Sequence, residues 1–188
     1  MMRAMPNMAV IVPRDSVEFK QALELALTRN GPTYIQICRN ATPVLFEGEP
    51  PLELGKIRKL RDGADLTIAV CGVPTFMAIE AAERLAASGI AIDLLEVSTI
   101  KPIDAEALVA SAAKTGRILT VEEHCVCGGM GSAVAEVVSA RCPAIVERLG
   151  IEDRFGESGD YMAPLEKYGI SARLIEARAR SIVGGGRK

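Results

Sequence analysis

The sequence is poor in aromatic residues and nearly free of net charge, and both shortages exclude classes of partner. Aromatic residues make up 4% of the 188 residues, too few for the stacking surfaces that bind single-stranded nucleic acid. The formal net charge is −2, so the chain has no basic excess for contacts with nucleic acid or an anionic membrane. We therefore expect neither nucleic acid nor a membrane among its partners.

Long apolar segments and paired cysteines are missing as well. No apolar run approaches the ~20 residues of a membrane span, and the start, MMRAMP, lacks the apolar region of a signal peptide. The five cysteines are odd in number and scattered, which suits a reducing cytoplasm better than a disulfide scaffold. Cys125 and Cys127 lie beside His124, but no second pair completes a zinc site. We expect a cytoplasmic protein with ordinary thiols and no metal site.

One central stretch has the pattern of a strand, a turn and a helix. Residues 118–121 are apolar throughout, as in a parallel strand covered on both faces. The acidic pair Glu122-Glu123 and His124, the only histidine, precede a glycine cluster at 128–132. The glycines predict either an N–H cradle for an anion at a helix start or a compact connection that brings the helix close to the sheet. We favour the compact connection, because neither the dinucleotide-binding nor the P-loop pattern is present.

The first forty residues predict a single strand–helix–strand unit. A strand at 10–12 is followed by a helix with Asp15 as its N-cap and Glu18 as the capping-box partner, and then by a strand at 33–38. Such a unit is too small to bury a core of its own. We infer that the chain begins partway through a domain or borrows its missing strands from a partner.

The rest of the chain predicts a second, complete α/β domain. Residues 47–56 are rich in proline and form a predicted linker, after residues 1–46 of the first unit. In residues 57–183 strands alternate with helices, which predicts a three-layer α/β/α domain with a mostly parallel sheet. We expect residues 184–188 to form a disordered tail.

Few residues are candidates for chemistry. His124 has a pKa suited to acid–base work, but no catalytic partner can be placed beside it, so we favour a structural or interface role. Glu122 and Glu123 should point to opposite sides of a strand rather than form a carboxylate pair. Arg39 follows a predicted strand and is well placed to bind a phosphate or carboxylate, with an exposed or ion-paired arginine as the alternative.

A second glycine-containing motif lies at residues 155–159. We predict a turn in which Phe155 is a buried aromatic anchor. Glu157 and Ser158 are predicted caps of a helix that holds Leu165. Nothing in this motif indicates catalysis.

Several motifs, taken in order, resemble the transketolase family. The end of its pyrimidine-binding domain is matched by Arg3-x-x-Pro6-Asn7-Met8, Val12-Pro13-x-Asp15 and Gly31-Pro32-x-Tyr34-Ile35 ahead of Arg39. Its C-terminal domain is matched by Val121-Glu122-Glu123-His124, Gly128-Gly129-x-Gly131-Ser132, Phe155-Gly156-Glu157-Ser158-Gly159 and Tyr168-Gly169-Ile170. The likeness covers nearly the whole chain, and it extends to transketolases whose C-terminal half is a separate subunit.

The resemblance implies a thiamine-diphosphate enzyme that transfers a two-carbon ketol unit between sugar phosphates. In this family the thiamine diphosphate and its Mg ion bind mainly to an N-terminal part that precedes the matching residues. The resemblance therefore implies no catalytic, cofactor-binding or metal-binding residue in this chain, and no cofactor bound to it alone. Arg39 matches the family's phosphate-binding arginine. The implied partners are an N-terminal half or subunit, in a homodimer or heterotetramer, with the C-terminal domain packing the assembly.

Other assignments remain open on the sequence. 1-Deoxy-D-xylulose-5-phosphate synthases and the β subunits of 2-oxo acid dehydrogenases share this domain order, although the motifs at 123–124 and 155–159 look more like transketolase. A non-catalytic dimerisation or regulatory module, with an anion at 128–132, is the alternative from a different class.

Overall fold

The computed structural model describes residues 1–157 and 159–185, in which strands and helices alternate. After a short 3-10 helix (Met2–Ala4), the elements are β1 (Ala9–Ile11), α1 (Ser16–Thr28), β2 (Thr33–Ile35), β3 (Arg58–Arg61), β4 (Leu66–Val70), α2 (Pro74–Ala87), β5 (Ile92–Glu96), β6 (Thr99–Lys101), α3 (Ala105–Thr115), β7 (Arg117–Cys125), α4 (Met130–Arg141), β8 (Ile145–Ile151), α5 (Met162–Lys167) and α6 (Ala172–Gly185). Within the described residues, no helix is both long and apolar enough to cross a bilayer.

The larger sheet has five strands in the order β3-β5-β4-β7-β8. The strands β5, β4, β7 and β8 run parallel to their neighbours, and only β3 is antiparallel to β5. Alternate residues of the buried strand β4 face opposite sides: Ile68 and Val70 pack with α2 and α6, and Ala69 packs with α3 and α4. The predicted three-layer α/β/α arrangement with a mostly parallel sheet is confirmed.

The helix starts follow from side chains named in the sequence. The Asp15 carboxylate accepts the backbone N–H groups of Val17 and Glu18, each at 3.0 Å, at the start of α1. The capping box was wrong, because Glu18 accepts the N–H of Arg14 (2.8 Å) and not that of Asp15. The Glu18 side chain is instead buried in a group of charged residues, which is described below.

The smaller sheet joins the two parts of the chain. Its order is β2-β1-β6, with β1 parallel to β2 and antiparallel to β6. Strand β6 was not predicted, and it supplies from the second part of the chain a strand that the first unit lacks. Strand β2 ends at Ile35, three residues earlier than predicted, and its outer edge has no partner strand in residues 1–157 and 159–185.

Two expectations near the C-terminus are corrected. Phe155 is 99% exposed and anchors no core, because the segment after β8 runs along the surface. Helix α5 begins after Tyr161 without a side-chain cap, and Glu157 pairs instead with Lys167 at 2.6 Å; Ser158 lies outside the described residues. Helix α6 reaches Gly185, so two residues of the predicted tail are helical, and residues 186–188 lie outside the described residues.

Candidate functional site

The end of β7 holds the start of α4 through a buried carboxylate. Strand β7 continues to Cys125, four residues beyond the apolar run from which it was predicted. Glu122, 2% exposed, accepts the backbone N–H groups of Met130 (2.6 Å) and Gly131 (2.8 Å). A negative charge is favoured there by the helix dipole and the free N–H groups. The chain therefore fills the cradle at 128–132 with its own side chain.

The glycines are needed because α4 approaches the sheet so closely. A Cβ atom on Gly129 would collide with the Glu122 carboxylate, and one on Gly131 would collide with the Thr120 hydroxyl and Arg148. The predicted close approach of helix to sheet is thus confirmed. Burial raises the pKa of Glu122, and the hydrogen bonds from Gly131 and Met130 only partly offset that rise.

Glu123 points away from Glu122, as predicted for adjacent residues on a strand. Its Oε2 accepts a hydrogen bond from the Tyr161 hydroxyl at 2.5 Å, which ties the segment after β8 to the end of β7. Burial raises the pKa of Glu123, while the hydrogen bond from Tyr161 lowers it, and the net direction is upward. Burial also raises the pKa of Tyr161 far above its ordinary value, so the phenol stays protonated and donates.

His124 and the cysteines were weighed in the sequence as metal ligands, and His124 also as an acid–base group. The His124 ring is exposed, and its Nδ1 lies 3.0 Å from the carbonyl oxygen of Cys125. All five cysteines are free thiols. Within residues 1–157 and 159–185, no three His, Cys, Asp or Glu side chains are grouped so as to hold a metal ion. That His124 takes no part in catalysis stays a prediction.

A cavity of about 270 Å³ lies between the two parts of the chain. Its walls come from β1 and the residues after β2, and from the carboxyl ends of β4 and β7, where ligands commonly bind in α/β sheets. Glu122, Glu123 and His124 all line it. Arg3 also lines it near the α4 start and donates a hydrogen bond to the Gly128 carbonyl (2.9 Å).

Arg39 lies beside this cavity in a more open groove. The side chain is exposed, four residues past the end of β2, and the groove of about 780 Å³ is also lined by Glu123, Glu157 and Tyr161. No carboxylate of the described residues lies within ion-pairing distance of the Arg39 guanidinium, although acidic groups line the same groove. The structure thus brings Arg39 to Glu123 and Tyr161, whereas His124 lines the neighbouring cavity.

Sequence reasoning missed a buried group of charges at the junction of the two parts, which we call the Arg14 cluster. Its members are Arg14, Asp15, Glu18, Glu49, Arg58 and Glu96. Arg14 donates through one nitrogen to both oxygens of Glu96, at 2.7 and 2.6 Å. Partners such as Arg14 and Glu96 lie far apart in the sequence. The sequence therefore showed that these residues are charged but not that they meet.

Comparison with known proteins gives the chain its family. Residues 1–44 match the family model for the transketolase pyrimidine binding domain, and residues 55–178 match the model for the transketolase C-terminal domain. A solved structure described as a split gene transketolase in an inactive beta4 tetramer has a TM-score of 0.93 and 43% sequence identity. The match covers 97% of this chain and 60% of that one.

Curated relatives agree with this match. The chain is 40% identical over 183 residues to the 6-deoxy-6-sulfo-D-fructose transketolase subunit of Clostridium sp. (strain MSTE9), covering 96% of this chain and 56% of the relative. It is 38% identical over 180 residues to a putative transketolase C-terminal section of Methanocaldococcus jannaschii (94% and 56%). It is 35% identical over 185 residues to a 1-deoxy-D-xylulose-5-phosphate synthase of Symbiobacterium thermophilum (97% and 28%).

The chain therefore spans a little over half the length of the first two relatives. The resemblance read from the motifs is confirmed. This chain belongs to the transketolase family, and it corresponds to the end of the pyrimidine-binding domain followed by the C-terminal domain.

Proposed function

We propose that the chain forms part of a thiamine-diphosphate-dependent transketolase that transfers a two-carbon ketol unit between sugar phosphates. The observation that carries this proposal is the succession of the two domain matches, over 1–44 and 55–178, along one continuous fold. We divide the chain into a pyrimidine-binding portion (1–46), a linker (47–56) and a C-terminal domain (57–183). The chain is inactive until it is joined to the rest of the enzyme.

The cofactor site belongs to another part of the assembly. The described residues offer no carboxylate set that fits the metal of a metal–diphosphate pair, and the pyrimidine-binding portion has two strands, β1 and β2. The open edge of β2 and the exposed apolar side chains Leu23, Leu27 and Ile37 lie on this incomplete portion. An N-terminal half or a separate subunit covers them and supplies the thiamine diphosphate and Mg site, in a homodimer or heterotetramer.

This chain's own contribution to substrate binding is Arg39. Its guanidinium is exposed in a groove and unpaired with any carboxylate of the described residues, so it can offer a planar pair of N–H donors to a phosphate group. A positive charge held at this place selects phosphorylated sugars over neutral ones. The C-terminal domain contributes packing between subunits.

Kinetics of the reconstituted enzyme test this role. Arg39→Ala should raise KM for phosphorylated sugars roughly 10–100-fold, since losing a charged hydrogen bond costs about 1.5–3 kcal/mol, and should leave unphosphorylated analogues little affected. Arg173→Ala is the matched control, because that exposed arginine pairs with Glu166 on the surface. Equal effects of Arg39→Ala on both kinds of sugar would refute the phosphate role.

A second candidate function follows from the relatives. Among them, 1-deoxy-D-xylulose-5-phosphate synthases are 35% and 36% identical to almost the whole chain. Assaying the assembled enzyme for 1-deoxy-D-xylulose 5-phosphate and, separately, for ketol transfer decides between the two functions. A non-catalytic module with an anion at 128–132 is not supported, because Glu122 occupies the N–H groups that would bind the anion.

A further inference from the structure

The segment 40–51, which directly follows Arg39, contains no helix or strand that would hold it in place. Between the end of β2 at Ile35 and the start of β3 at Arg58 the chain forms no regular element. A phosphate-binding guanidinium needs a fixed position, because small misplacements weaken binding and catalysis. Contacts of the segment with the rest of the molecule must therefore supply the order that secondary structure does not.

The contacts that hold this segment converge on Arg14 and its neighbour. The Asp15 carboxylate that caps α1 also accepts the backbone N–H of Leu45, at 3.1 Å. The Arg14 guanidinium pairs with Glu49 and lies over the ring of Phe46, 5.0 Å from its centroid. Arg14 and Asp15 thus contact Leu45, Phe46 and Glu49, three residues that lie close together in the segment.

Arg14 also reaches both parts of the chain outside the segment. It is 3% exposed, its Nε lies 3.2 Å from Asp15 of the first part, and another nitrogen holds Glu96 at the end of β5 in the second part. The guanidinium therefore joins the first part, the segment and the second part at one point. Its planar fork allows this, since each nitrogen serves a different carboxylate.

Arg58, at the start of β3 and beyond the segment, completes the Arg14 cluster. Its guanidinium lies 2.9 Å from Glu49 and 2.9 Å from Glu96, and it donates to the Pro50 carbonyl at 3.3 Å. Glu18 accepts the Ser98 hydroxyl at 2.5 Å. Four buried carboxylates face two guanidiniums, so removing the charge of Arg14 leaves several acids without a partner, and breaking such a buried pair is costly.

We propose that Arg14 is a positioning residue: it ties the segment 40–51 to both parts of the chain and thereby fixes Arg39 where the substrate phosphate binds. The role of Arg39 in this inference rests on the proposed function. The contacts by which Arg14 holds the segment do not depend on that function. No residue of the Arg14 cluster is among those that line the groove of Arg39, so the proposal assigns Arg14 no contact with the substrate. Its effect passes through the backbone of the segment.

Arg14→Lys tests the tie in the assembled enzyme. A lysine keeps one charge but has a single ammonium, which cannot serve Glu49 and Glu96 in two directions. We expect amide hydrogen exchange in 40–51, with Leu45 as the most direct probe, to be at least about tenfold faster, while exchange in β4 is unchanged. KM for phosphorylated sugars should rise roughly tenfold with little change in kcat. Arg141→Lys, at an exposed arginine that pairs with Glu106, is the control for both readouts.

The outcomes separate the tie from the role of Arg39. Unchanged exchange in 40–51 overturns the proposal, whatever Arg39 does. Faster exchange with unchanged KM, in an enzyme where Arg39→Ala is selective for phosphate, also overturns it. If Arg39→Ala is not selective, the phosphate role of Arg39 is refuted, and the exchange result alone decides whether Arg14 holds the segment. Should the Arg14→Lys protein fail to fold, Glu49→Gln gives the same test, because it releases the segment and keeps the Arg14–Glu96 pair.

Discussion

The carboxylate of Glu122 is placed where many α/β proteins bind the phosphate of a ligand. Two N–H groups of the α4 start are satisfied by a side chain from the neighbouring strand, and the glycines make room for that side chain. The arrangement uses the chemistry of an anion site to join a helix to a sheet. A glycine-rich helix start in a sequence is therefore weak evidence for a ligand when an acidic residue ends the preceding strand.

Removing this carboxylate should expose a latent anion site. Glu122→Ala leaves the N–H groups of Met130 and Gly131 buried without acceptors, so we expect the free energy of unfolding to fall by about 1.5–3 kcal/mol. Phosphate ions should restore part of the loss, because they can occupy the vacated place. Urea denaturation with and without phosphate at constant ionic strength measures both effects. The wild-type protein controls for general salt effects, and an equal response of the two proteins to phosphate would contradict this interpretation.

Glu123 should give the protein a measurable pH dependence of stability. Its folded-state pKa is raised above the ordinary value of 4.5, chiefly by burial. The folded state therefore holds its proton more tightly than the unfolded state, and the stability from this group is lost as pH rises through the folded pKa. Glu123→Gln cannot titrate, so as pH rises above about 4.5 its free energy of unfolding should fall less steeply than that of the wild type.

Glu157 provides a control of opposite sign. The hydrogen bond from Lys167 lowers the pKa of Glu157, so its contribution is present above the ordinary pKa and lost as pH falls. Urea denaturation of Glu123→Gln above about pH 4.5 and of Glu157→Gln below it, each compared with the wild type, gives the two slopes. If Glu123→Gln and the wild type have the same slope, the burial of Glu123 has no energetic effect.

Helix α4 shows how closely two elements can pack where one residue has no side chain. A Cβ on Gly131 would meet the Thr120 hydroxyl of β7 and the Cγ of Arg148, 2.9 Å away, on β8. Gly131→Ala should therefore destabilise the protein by about 1–3 kcal/mol, since overpacking forces the helix away from two strands. Gly156→Ala is the matched control, with open space around the new methyl group and an expected change within about 0.5 kcal/mol. Thermal and urea denaturation of the two variants would show whether α4 can shift without cost.

The elements that sequence predicted are those whose signals are local. Asp15 caps α1 as predicted because an N-cap depends on the next three residues, and β4 was predicted from the largely apolar run at 66–71. Strand β6 was not predicted, because three residues before a proline carry no alternation and become a strand only where β1 offers its edge. The prediction for Phe155 was wrong because aromatic residues usually pack inside, whereas this side chain is 99% exposed.

The molecule as a whole is held together by contacts between residues distant in sequence. The two parts of the chain are joined in the smaller sheet, where β1 pairs with β6, and the Arg14 cluster links residues 82 positions apart. Family motifs predicted the domain order and Arg39, because they record which residues recur in series. They could not predict which charges meet at the junction, since that depends on how the two parts pack against one another. The role of Arg39 stays a prediction, and the groove around it could not be predicted from the sequence.

The strand order of the smaller sheet has a consequence for biosynthesis. Strand β1 pairs on one side with β2, which follows after a single helix, and on the other side with β6, which follows only after β3, β4, α2 and β5. Translation proceeds at roughly 5–20 residues per second, so the β6-facing edge of β1 stays open for several seconds on the ribosome. A nascent chain interrupted within that interval would expose an unpaired strand, and such products should be the ones that chaperones and proteases remove first.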